Sequence, residues 1–381
     1  MSKKIKVMTI LGTRPEIIRL SRVMAVLDRY TDHVMVHTGQ NYDYELNEVF
    51  FQDLELRKPD VFLNVDASSL GSVLGNIIIA IEPVLKNHRP DAVLILGDTN
   101  SSIAGIMAKR LKIPIYHMEA GNRSFDPNVP EEVNRRIIDR ISDFNLVYTE
   151  HARRHLLSEG MPHRRTYLTG SPMKEVLDHY QSGIDRSDVL DRLALDDKGY
   201  FLVSMHREEN VDSKENLKLL LGALAEVQQR FNLPVLASTH PRTRKRLEAL
   251  GEAFEESKIN FAKPFGFLDY NKLQKHAFCV LSDSGTITEE SAILGFPAVT
   301  IRRSIERPEG LDTGSIILTG LDAEIIVQAV EMVTEDWSRG VVPPLPRDYR
   351  VDNVSQRVVN LMMGTARLSN DWDGVRRHDY D

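Results

Sequence analysis

The stretch FCVLSDSGTITEE, residues 278–290, contains the unit from which the fold is predicted. An apolar run with the pattern of a buried strand leads into small residues, and a helical segment carrying Glu289 and Glu290 follows. Apolar strands of this kind are typical of parallel sheets, which helices cover on both faces. We therefore expect a strand, a short loop and a helix to be the repeating unit of the chain.

The same unit recurs on both sides of this stretch. Short apolar runs alternate with amphipathic segments such as KENLKLLLGALAEVQQR (214–230), and they fall into two series. Two such series in 381 residues predict an α/β protein with two Rossmann-like, doubly wound domains and a cleft between them. The predicted strands are 5–11, 33–38, 92–96, 113–118, 144–149, 166–170, 200–206, 233–239, 259–264, 278–283, 297–301 and 315–320.

Two punctuated segments predict the domain boundaries. Gly170, Ser171 and Pro172 end the first series, and the proline-rich VVPPLPRDY follows the second. We expect residues 1–172 to form the first domain and residues 173–353 the second. Residues 354–381 are expected to cross back onto the first domain as a helix and to end in a polar, frayed tail.

Composition and charge narrow the classes of function. The formal net charge of −7 argues against nucleic acid as the main partner, because phosphate backbones select basic faces. The only cysteine, Cys279, lies in an apolar strand pattern that favours a buried, inert thiol and is compatible with a reducing cytoplasm. The N-terminus lacks the features of a signal peptide, and no apolar run approaches the ~20 residues of a membrane helix. The sequence predicts a soluble, cytoplasmic protein with no membrane partner.

Small residues after the 278–283 strand suggest a seat for an anion. Ser284, Gly285 and Thr286 precede a helix whose first backbone N–H groups and dipole favour a diphosphate. Glu290, one turn further on, is at the distance of a ribose and can accept its two hydroxyls. A plain helix cap with solvated glutamates is the alternative interpretation.

The first loop of the chain, LGTRPEIIRL, repeats this arrangement. Pro15 suits a first helical position, Arg14 is then held at the sheet edge, and Arg19 follows one turn later. A capped surface arginine is the alternative. The glycine spacing of a dinucleotide fingerprint and the P-loop pattern are both absent, so we expect no nicotinamide, flavin or other cofactor.

Three acidic residues follow strands or begin a helix in the same half of the chain. They are Asp98 in GDTN, Glu119 in EAGNR and Glu131 in PEEVNRR. If they converge, they form a cluster suited to proton transfer at carbon, in which one carboxyl has a raised pKa and carries the proton. Capping of the next helix is the alternative for Asp98. No metal is expected, because arginine and backbone donors can serve the phosphates that usually share a magnesium ion.

The second half adds histidines, arginines and an aromatic residue after its strands. His206 in MHREEN can donate a hydrogen bond to phosphate or act as an acid, although a lone histidine is more often structural. Arg242 in STHPR and Arg307 in ERPE suit bidentate phosphate recognition, and Phe265 in KPFGF also follows a strand.

Seven blocks together carry a family resemblance: GTRPE, GDTN, EAGNRS, PEEVNR, HREEN, SDSG with its glutamate pair, and ERPE. To about residue 365 the chain resembles the non-hydrolysing UDP-N-acetylglucosamine 2-epimerases. The resemblance implies a GT-B-like fold, a homodimer and a UDP-activated 2-acetamido sugar as substrate. It also implies that UDP is eliminated, that a 2-acetamidoglycal stays bound, and that UDP adds back with C2 reprotonated on the other face.

The resemblance also implies roles for individual residues. The proton-transfer carboxylates are matched by Asp98, Glu119 and Glu131, and the catalytic or phosphate-contacting histidine by His206. Substrate contacts are matched by Arg14, Ser284, Gly285, Glu290 and Arg307.

Several motifs depart from the glucosamine enzymes. HREEN replaces HRRE, GNRS replaces GLRT, Thr286 replaces a glycine, Arg19 replaces a lysine, and HTGQNYDYELNEVFF also differs. With KPFGFLDYN, these variants are similar to the branch that forms UDP-N-acetyl-L-fucosamine from UDP-2-acetamido-2,6-dideoxy-L-talose for capsule and O-antigen synthesis. A UDP-N-acetylglucosamine 2-epimerase, a hydrolysing epimerase, a GT-B glycosyltransferase and a non-catalytic nucleotide-sugar binding protein remain as alternatives.

Overall fold

In this computed structural model, residues 4–39, 44–66, 68–251 and 259–376 are described. The chain forms two compact units, one of Met1–Asp178 with Asp348–Asp381 and the other of His179–Arg347. The first division falls inside a continuous helix, Met173–Arg186, and not before it at residue 172 as the punctuation suggested. Residues 348–353 belong to unit 1, so the second division also lies before the predicted residue 353.

Unit 1 is built on a seven-stranded sheet in which the strands are parallel and follow the order β3-β2-β1-β4-β5-β6-β7. Its strands are β1 (Lys6–Leu11), β2 (Asp32–His37), β3 (Val61–Phe62), β4 (Ala92–Leu96), β5 (Ile115–Met118), β6 (Phe144–Val147) and β7 (Thr166–Leu168). Its α-helices are α1 (Arg14–Tyr30), α2 (Tyr44–Asp53), α3 (Leu70–His88), α4 (Gly105–Arg110), α5 (Pro130–Ile141), α6 (Glu150–Ser158), the first part of α7 (Met173–Arg186), α16 (Val354–Thr365) and α17 (Ser369–Trp372).

Unit 2 is built on a six-stranded parallel sheet of order β10-β9-β8-β11-β12-β13. Its strands are β8 (Phe201–Ser204), β9 (Val235–Ser238), β10 (Asn260–Ala262), β11 (Cys279–Ser282), β12 (Ala298–Thr300) and β13 (Ile317–Leu318). Its α-helices are α8 (Val189–Leu193), α9 (Glu208–Val211), α10 (Lys214–Phe231), α11 (Pro241–Glu248), α12 (Phe267–His276), α13 (Ile287–Leu294), α14 (Pro308–Asp312) and α15 (Ala323–Ser338).

The two doubly wound parallel sheets confirm the predicted fold class, and every predicted strand is present. The strand β3 was not predicted, because two residues are too short to give a periodic pattern. In each sheet the strand order reverses once, between β1 and β4 in unit 1 and between β8 and β11 in unit 2. Ligands of open α/β sheets bind at such reversals, beyond the carboxyl ends of the strands.

Helix α3 corrects the expectation that no segment is long and apolar enough for a membrane. It has 19 residues with a mean hydropathy of 1.2, and it is the one such helix in the described part of the chain. Its buried residues Val73, Ile77, Ile81 and Leu85 repeat at helical spacing and pack into the core of unit 1. Length and composition alone therefore do not distinguish α3 from the core helix of a globular unit.

The C-terminal segment also differs from the frayed tail that was expected. Helix α16 packs on α1, and α17 follows it. Ser369 is buried, and its hydroxyl accepts a hydrogen bond from Arg165 at 3.1 Å. These contacts hold the chain as far as α17, while the last five residues lie outside the described part.

Candidate functional site

The loops after β1 and β4 are joined by a buried carboxylate, Glu16, that the sequence did not single out. Its Oε2 accepts hydrogen bonds from the backbone of Gly12 at 2.9 Å and of Thr13 at 2.7 Å. Its Oε1 accepts one from the Thr99 hydroxyl at 2.9 Å, across to the GDTN loop. Burial raises the pKa of Glu16 to about 7, although these hydrogen bonds oppose the shift.

Arg14 and Arg19 lie on the helix that this loop begins. Arg14 opens α1, and its guanidinium lies 5.6 Å from the ring centre of Phe50. Arg14 is half-buried, and Arg19 is 4% exposed and therefore a buried cation. Arg19 forms an ion pair with Glu119, 100 positions along the chain.

Glu119 directly follows β5 in a backbone conformation that side chains rarely adopt, with φ of +64°. Besides Arg19, it accepts a hydrogen bond from the Asn122 amide at 3.3 Å. Its Oε2 lies over Gly97, where an added Cβ would be only 3.8 Å away. Glu119 is therefore placed beside the GDTN loop, next to Asp98.

Asp98 is paired with a cation and does not cap the next helix. Arg135 of α5 donates to its Oδ2 from Nη2 at 2.6 Å and from Nε at 2.8 Å. Thr99 takes the capping role, since its hydroxyl accepts from the backbone of Ser101 at 3.3 Å. The helix-capping alternative for Asp98 is thus wrong.

Glu131 lies in the first turn of α5 and is half-buried. Residues three and four positions apart share a helix face, so Glu131 is on the face of Asn134 and Arg135. Both of these contact Asp98, and Asn134 donates to its backbone carbonyl at 3.0 Å. Glu119 forms an ion pair with Arg19, and Asp98 forms one with Arg135. The sequence suggested a cluster of carboxylates alone, whereas two of the three are each paired with an arginine.

In unit 2 the loops after β8 and β11 are joined by a second buried carboxylate, Asp283. It accepts hydrogen bonds from the backbone of His206 at 3.0 Å and of Arg207 at 3.0 Å, and from the Asn210 amide at 3.1 Å. Burial opposes ionisation of Asp283, but His206 and these hydrogen bonds lower its pKa below the usual range.

The Asp283 carboxylate also orients the predicted catalytic histidine. Nδ1 of His206 lies 2.9 Å from Asp283 Oδ1, and the His206 side chain is 48% exposed. The ring therefore turns one nitrogen to a fixed carboxylate and the other away from it, which suits a proton donor to an oxygen of a ligand. Asp283 lies in the stretch SDSGT, but no role was predicted for it from the sequence.

The predicted anion seat lies against guanidinium groups. A Cβ added to Gly285 would be 3.1 Å from Nη1 of Arg307 and 3.4 Å from Nη2 of Arg207. Arg307 in turn donates from Nε to Glu289 at 2.9 Å, and Glu289 is fully buried. Arg207 and Glu289 were missed as site residues, and the burial of Glu289 rules out a solvated glutamate pair.

Ser284, Thr286 and Glu290 lie at the start of α13, and Phe265 and Arg242 are the other predicted contacts of unit 2. The hydroxyls of Ser284 and Thr286 lie 2.9 Å apart. Glu290 accepts a hydrogen bond from the Gln274 amide at 2.6 Å and remains partly exposed. Phe265 packs at the edge of an apolar cluster of unit 2, and the side chain of Arg242 lies outside the described part of the structure.

No group of three or more metal-ligating side chains that could hold an ion is found among the described residues. The buried polar groups at both loop pairs are instead cations, carboxylates and backbone donors. Such a set can bind a diphosphate and transfer protons.

Comparison with known proteins decides the family. The UDP-N-acetylglucosamine 2-epimerase family model matches residues 26–363. The chain belongs to this family. It is an isomerase, a UDP-sugar 2-epimerase of the non-hydrolysing type, and its GT-B-like fold is that of the solved epimerases.

Three relatives illustrate the similarity. A UDP-N-acetylglucosamine 2-epimerase structure from Rickettsia bellii is 50% identical, with a TM-score of 0.91 and coverage of 96% of this chain and 98% of that one. The Methanocaldococcus jannaschii enzyme, solved with UDP-GlcNAc and UDP, is 34% identical, with a TM-score of 0.88 and coverage of 94% and 100%. A Pseudomonas aeruginosa UDP-2,3-diacetamido-2,3-dideoxy-D-glucuronate 2-epimerase is 35% identical over 85% of this chain and 91% of its own length. Epimerases similar to this chain thus act on more than one UDP-sugar.

Proposed function

We propose that this epimerase interconverts UDP-2-acetamido-2,6-dideoxy-L-talose and UDP-N-acetyl-L-fucosamine. The observation that carries the C2 chemistry is that Asp98 follows β4 and Glu119 follows the neighbouring strand β5. Carboxylates are suitable acid–base groups for a carbon-bound proton, and two faces of C2 require more than one of them. Glu131, on the α5 face that contacts Asp98, is the third member of this group.

The proposed reaction proceeds by elimination and re-addition. One carboxylate removes the C2 proton while the C1–oxygen bond breaks, and UDP and a 2-acetamidoglycal result. UDP then adds back at C1, and C2 receives a proton on the opposite face. The C2 proton is only weakly acidic, so the step depends on stabilising the charge that develops on the departing diphosphate.

The residues of unit 2 are suited to that stabilisation. Arg307 and Arg207 lie against Gly285, and the N–H groups at the start of α13 add a partial positive charge. We assign the diphosphate to this loop, with Ser284 and Thr286, and the ribose hydroxyls to Glu290.

His206, fixed by Asp283, can donate a proton or hydrogen bond to the leaving oxygen. Arg14, Arg19, Arg242 and Phe265 complete the proposed set of substrate contacts. Arg19 also forms an ion pair with Glu119.

The identity of the sugar rests on motif differences. Arg19, Thr286, HREEN, GNRS and KPFGFLDYN depart together from the glucosamine enzymes and support the 6-deoxy-L-sugar. The stretch HTGQNYDYELNEVFF differs too, but residues 40–43 of it lie outside the described part of the structure. Conversion of UDP-N-acetylglucosamine to its 2-epimer is the second candidate, and the names of the Rickettsia and Methanocaldococcus relatives favour it.

A comparison of turnover on the two candidate substrates tests this proposal. Purified protein is incubated separately with UDP-N-acetyl-L-fucosamine and with UDP-N-acetylglucosamine, and the products are identified by NMR. We expect the L-fucosamine nucleotide to be epimerised faster, and the sugar to remain attached to UDP at equilibrium. Faster turnover of UDP-N-acetylglucosamine would refute the sugar assignment, and accumulation of free sugar with UDP would refute the non-hydrolysing reaction.

The branch similarity supports a role in capsule or O-antigen synthesis, the family resemblance supports a homodimer, and the composition supports a cytoplasmic location. Sedimentation tests the dimer directly. We expect a species of about twice the chain mass of 43.3 kDa, and a single species at that chain mass would contradict it.

A further inference from the structure

A buried network of charged side chains lies next to the Glu119 loop, and none of its members is among the proposed catalytic or substrate-binding residues. Its centre is Asp139 of α5, which is 2% exposed. Asp139 Oδ2 accepts from Arg123 Nη1 at 2.7 Å, and Asp139 Oδ1 lies 3.0 Å from Nδ1 of His117. Arg123 continues outward to Glu159, with contacts of 2.8 and 2.6 Å.

This network holds the backbone on both sides of Glu119. On one side, His117 belongs to β5, and its Nε2 lies 2.9 Å from the carbonyl oxygen of Gly97, the residue beneath the Glu119 carboxylate. On the other side, the Gly121 N–H donates to Asp139 at 3.2 Å, and Arg123 donates to the carbonyl of Asn122 at 2.7 Å. The loop from β5 to Asn122 is therefore tied to one carboxylate.

The loop needs such ties because its conformation is unfavourable. Glu119 has a φ of +64°, a conformation that is strained in a residue other than glycine and persists only where the surroundings impose it. At Gly121, with φ of +79°, an added Cβ would lie 2.4 Å from the carbonyl oxygen of Ala152, so the loop is packed tightly on α6. Asp139 accepts the hydrogen bond from the backbone N–H of Gly121 in this conformation.

We propose that Asp139 is a positioning residue for C2 epimerisation, which holds Glu119 where it exchanges a proton with the sugar. The inference rests on the proposed role of Glu119. Asp139 is buried within unit 1 and is not among the proposed substrate contacts. Its loss therefore acts on proton transfer and leaves nucleotide binding unchanged, since a misplacement of about 1 Å can slow a reaction by about a hundredfold.

The test compares Asp139→Asn with Asp143→Asn. The control carboxylate contacts the other end of the same strand β5, where it accepts from the backbone of Ile115 at 2.9 Å and from Lys109 at 2.8 Å. Three quantities are measured for each variant: the rate of deuterium incorporation at C2 in D2O, the dissociation constant of UDP, and the melting temperature. Glu119→Gln is measured in the same way as a reference for the proposed function.

We expect Asp139→Asn to slow C2 exchange roughly tenfold to a hundredfold and to leave the affinity for UDP within about twofold. Asp143→Asn is expected to lose melting temperature without slowing exchange. If Asp139→Asn does not fold, Glu159→Gln takes its place. The Glu159 side chain is 34% exposed, and its replacement weakens the ion pair that holds Arg123. We expect this variant to show slower exchange at unchanged UDP affinity.

Unchanged exchange in Asp139→Asn, or in Glu159→Gln when that variant replaces it, overturns the positioning role. So does an equal loss in the Asp139 and Asp143 variants, because that loss follows from stability alone. Wild-type exchange in Glu119→Gln has a different meaning: it removes the proposed role of Glu119 itself.

Discussion

Replacement of Glu16 by glutamine should change how the stability of unit 1 depends on pH. Burial raises the pKa of the Glu16 carboxyl from 4.5 to about 7. Between these values the folded protein keeps a proton that the unfolded chain has released. The stabilisation from the protonated group is therefore complete below pH 4.5 and is lost as the pH rises to about 7.

The magnitude follows from the size of the shift. A change of about 2.5 pKa units, at about 1.36 kcal/mol for each unit, corresponds to about 3 kcal/mol of unfolding free energy. Glutamine has the same shape and cannot ionise, so Glu16→Gln lacks this dependence. As the pH rises from below 4.5 to above 7, the wild type should lose about 3 kcal/mol of unfolding free energy relative to Glu16→Gln.

Urea denaturation at a series of pH values measures this difference. The chain has two tryptophans, of which Trp372 lies in unit 1 and Trp337 in unit 2, so a Trp337→Phe background reports on unit 1 alone. Glu82→Gln is the matched control, because Glu82 is half-exposed on α3 and pairs with Lys86. Parallel stability curves for wild type and Glu16→Gln would refute the raised pKa of Glu16.

Two further predictions concern ligands. Glu290→Gln and Arg307→Ala should each weaken UDP binding about tenfold to a hundredfold in calorimetry, because each removes a charge-assisted contact worth about 1.5–3 kcal/mol. The exposed Arg230→Ala is the control, and unchanged affinity in both test variants would remove the ribose and diphosphate assignments. Turnover should survive EDTA, since the proposed chemistry uses carboxylates and arginines; loss of activity that one divalent metal restores would make the carboxylates a metal site.

The sequence was sufficient for the architecture because its signals are local. Apolar runs such as 92–96 become strands with the same bounds, and the rule that ligands bind beyond strand ends led to Asp98 and Glu119. The strand β3 escaped prediction because two residues carry no periodicity. Local pattern also explains why α3 was not recognised as a long apolar helix: its apolar positions are interrupted by Gly71, Gly75 and Pro83.

The partners of the site residues could not be predicted in the same way. Arg135 reaches Asp98 across 37 positions, and Arg307 reaches Glu289 across 18, by sheet order and helix packing that no local pattern specifies. Glu16 is an acidic residue in the first turn of a helix, a common position for such residues, and only its burial against Thr99 gives it a distinct role. Asp283 directly follows β11, and a carboxylate in that position is the one sequence signal that could have predicted it as a site residue.

The elimination mechanism is tested most directly by following two isotopes in one reaction. The nucleotide sugar carries oxygen-18 in the bridge between C1 and the diphosphate, and the reaction runs in D2O. Breaking and remaking the C1–oxygen bond should place deuterium at C2 of the product and scramble the label into the non-bridging positions of the diphosphate. A product that retains its C2 hydrogen and its bridging oxygen-18 would contradict elimination, and would indicate a hydride route through a cofactor that takes up the hydride and returns it.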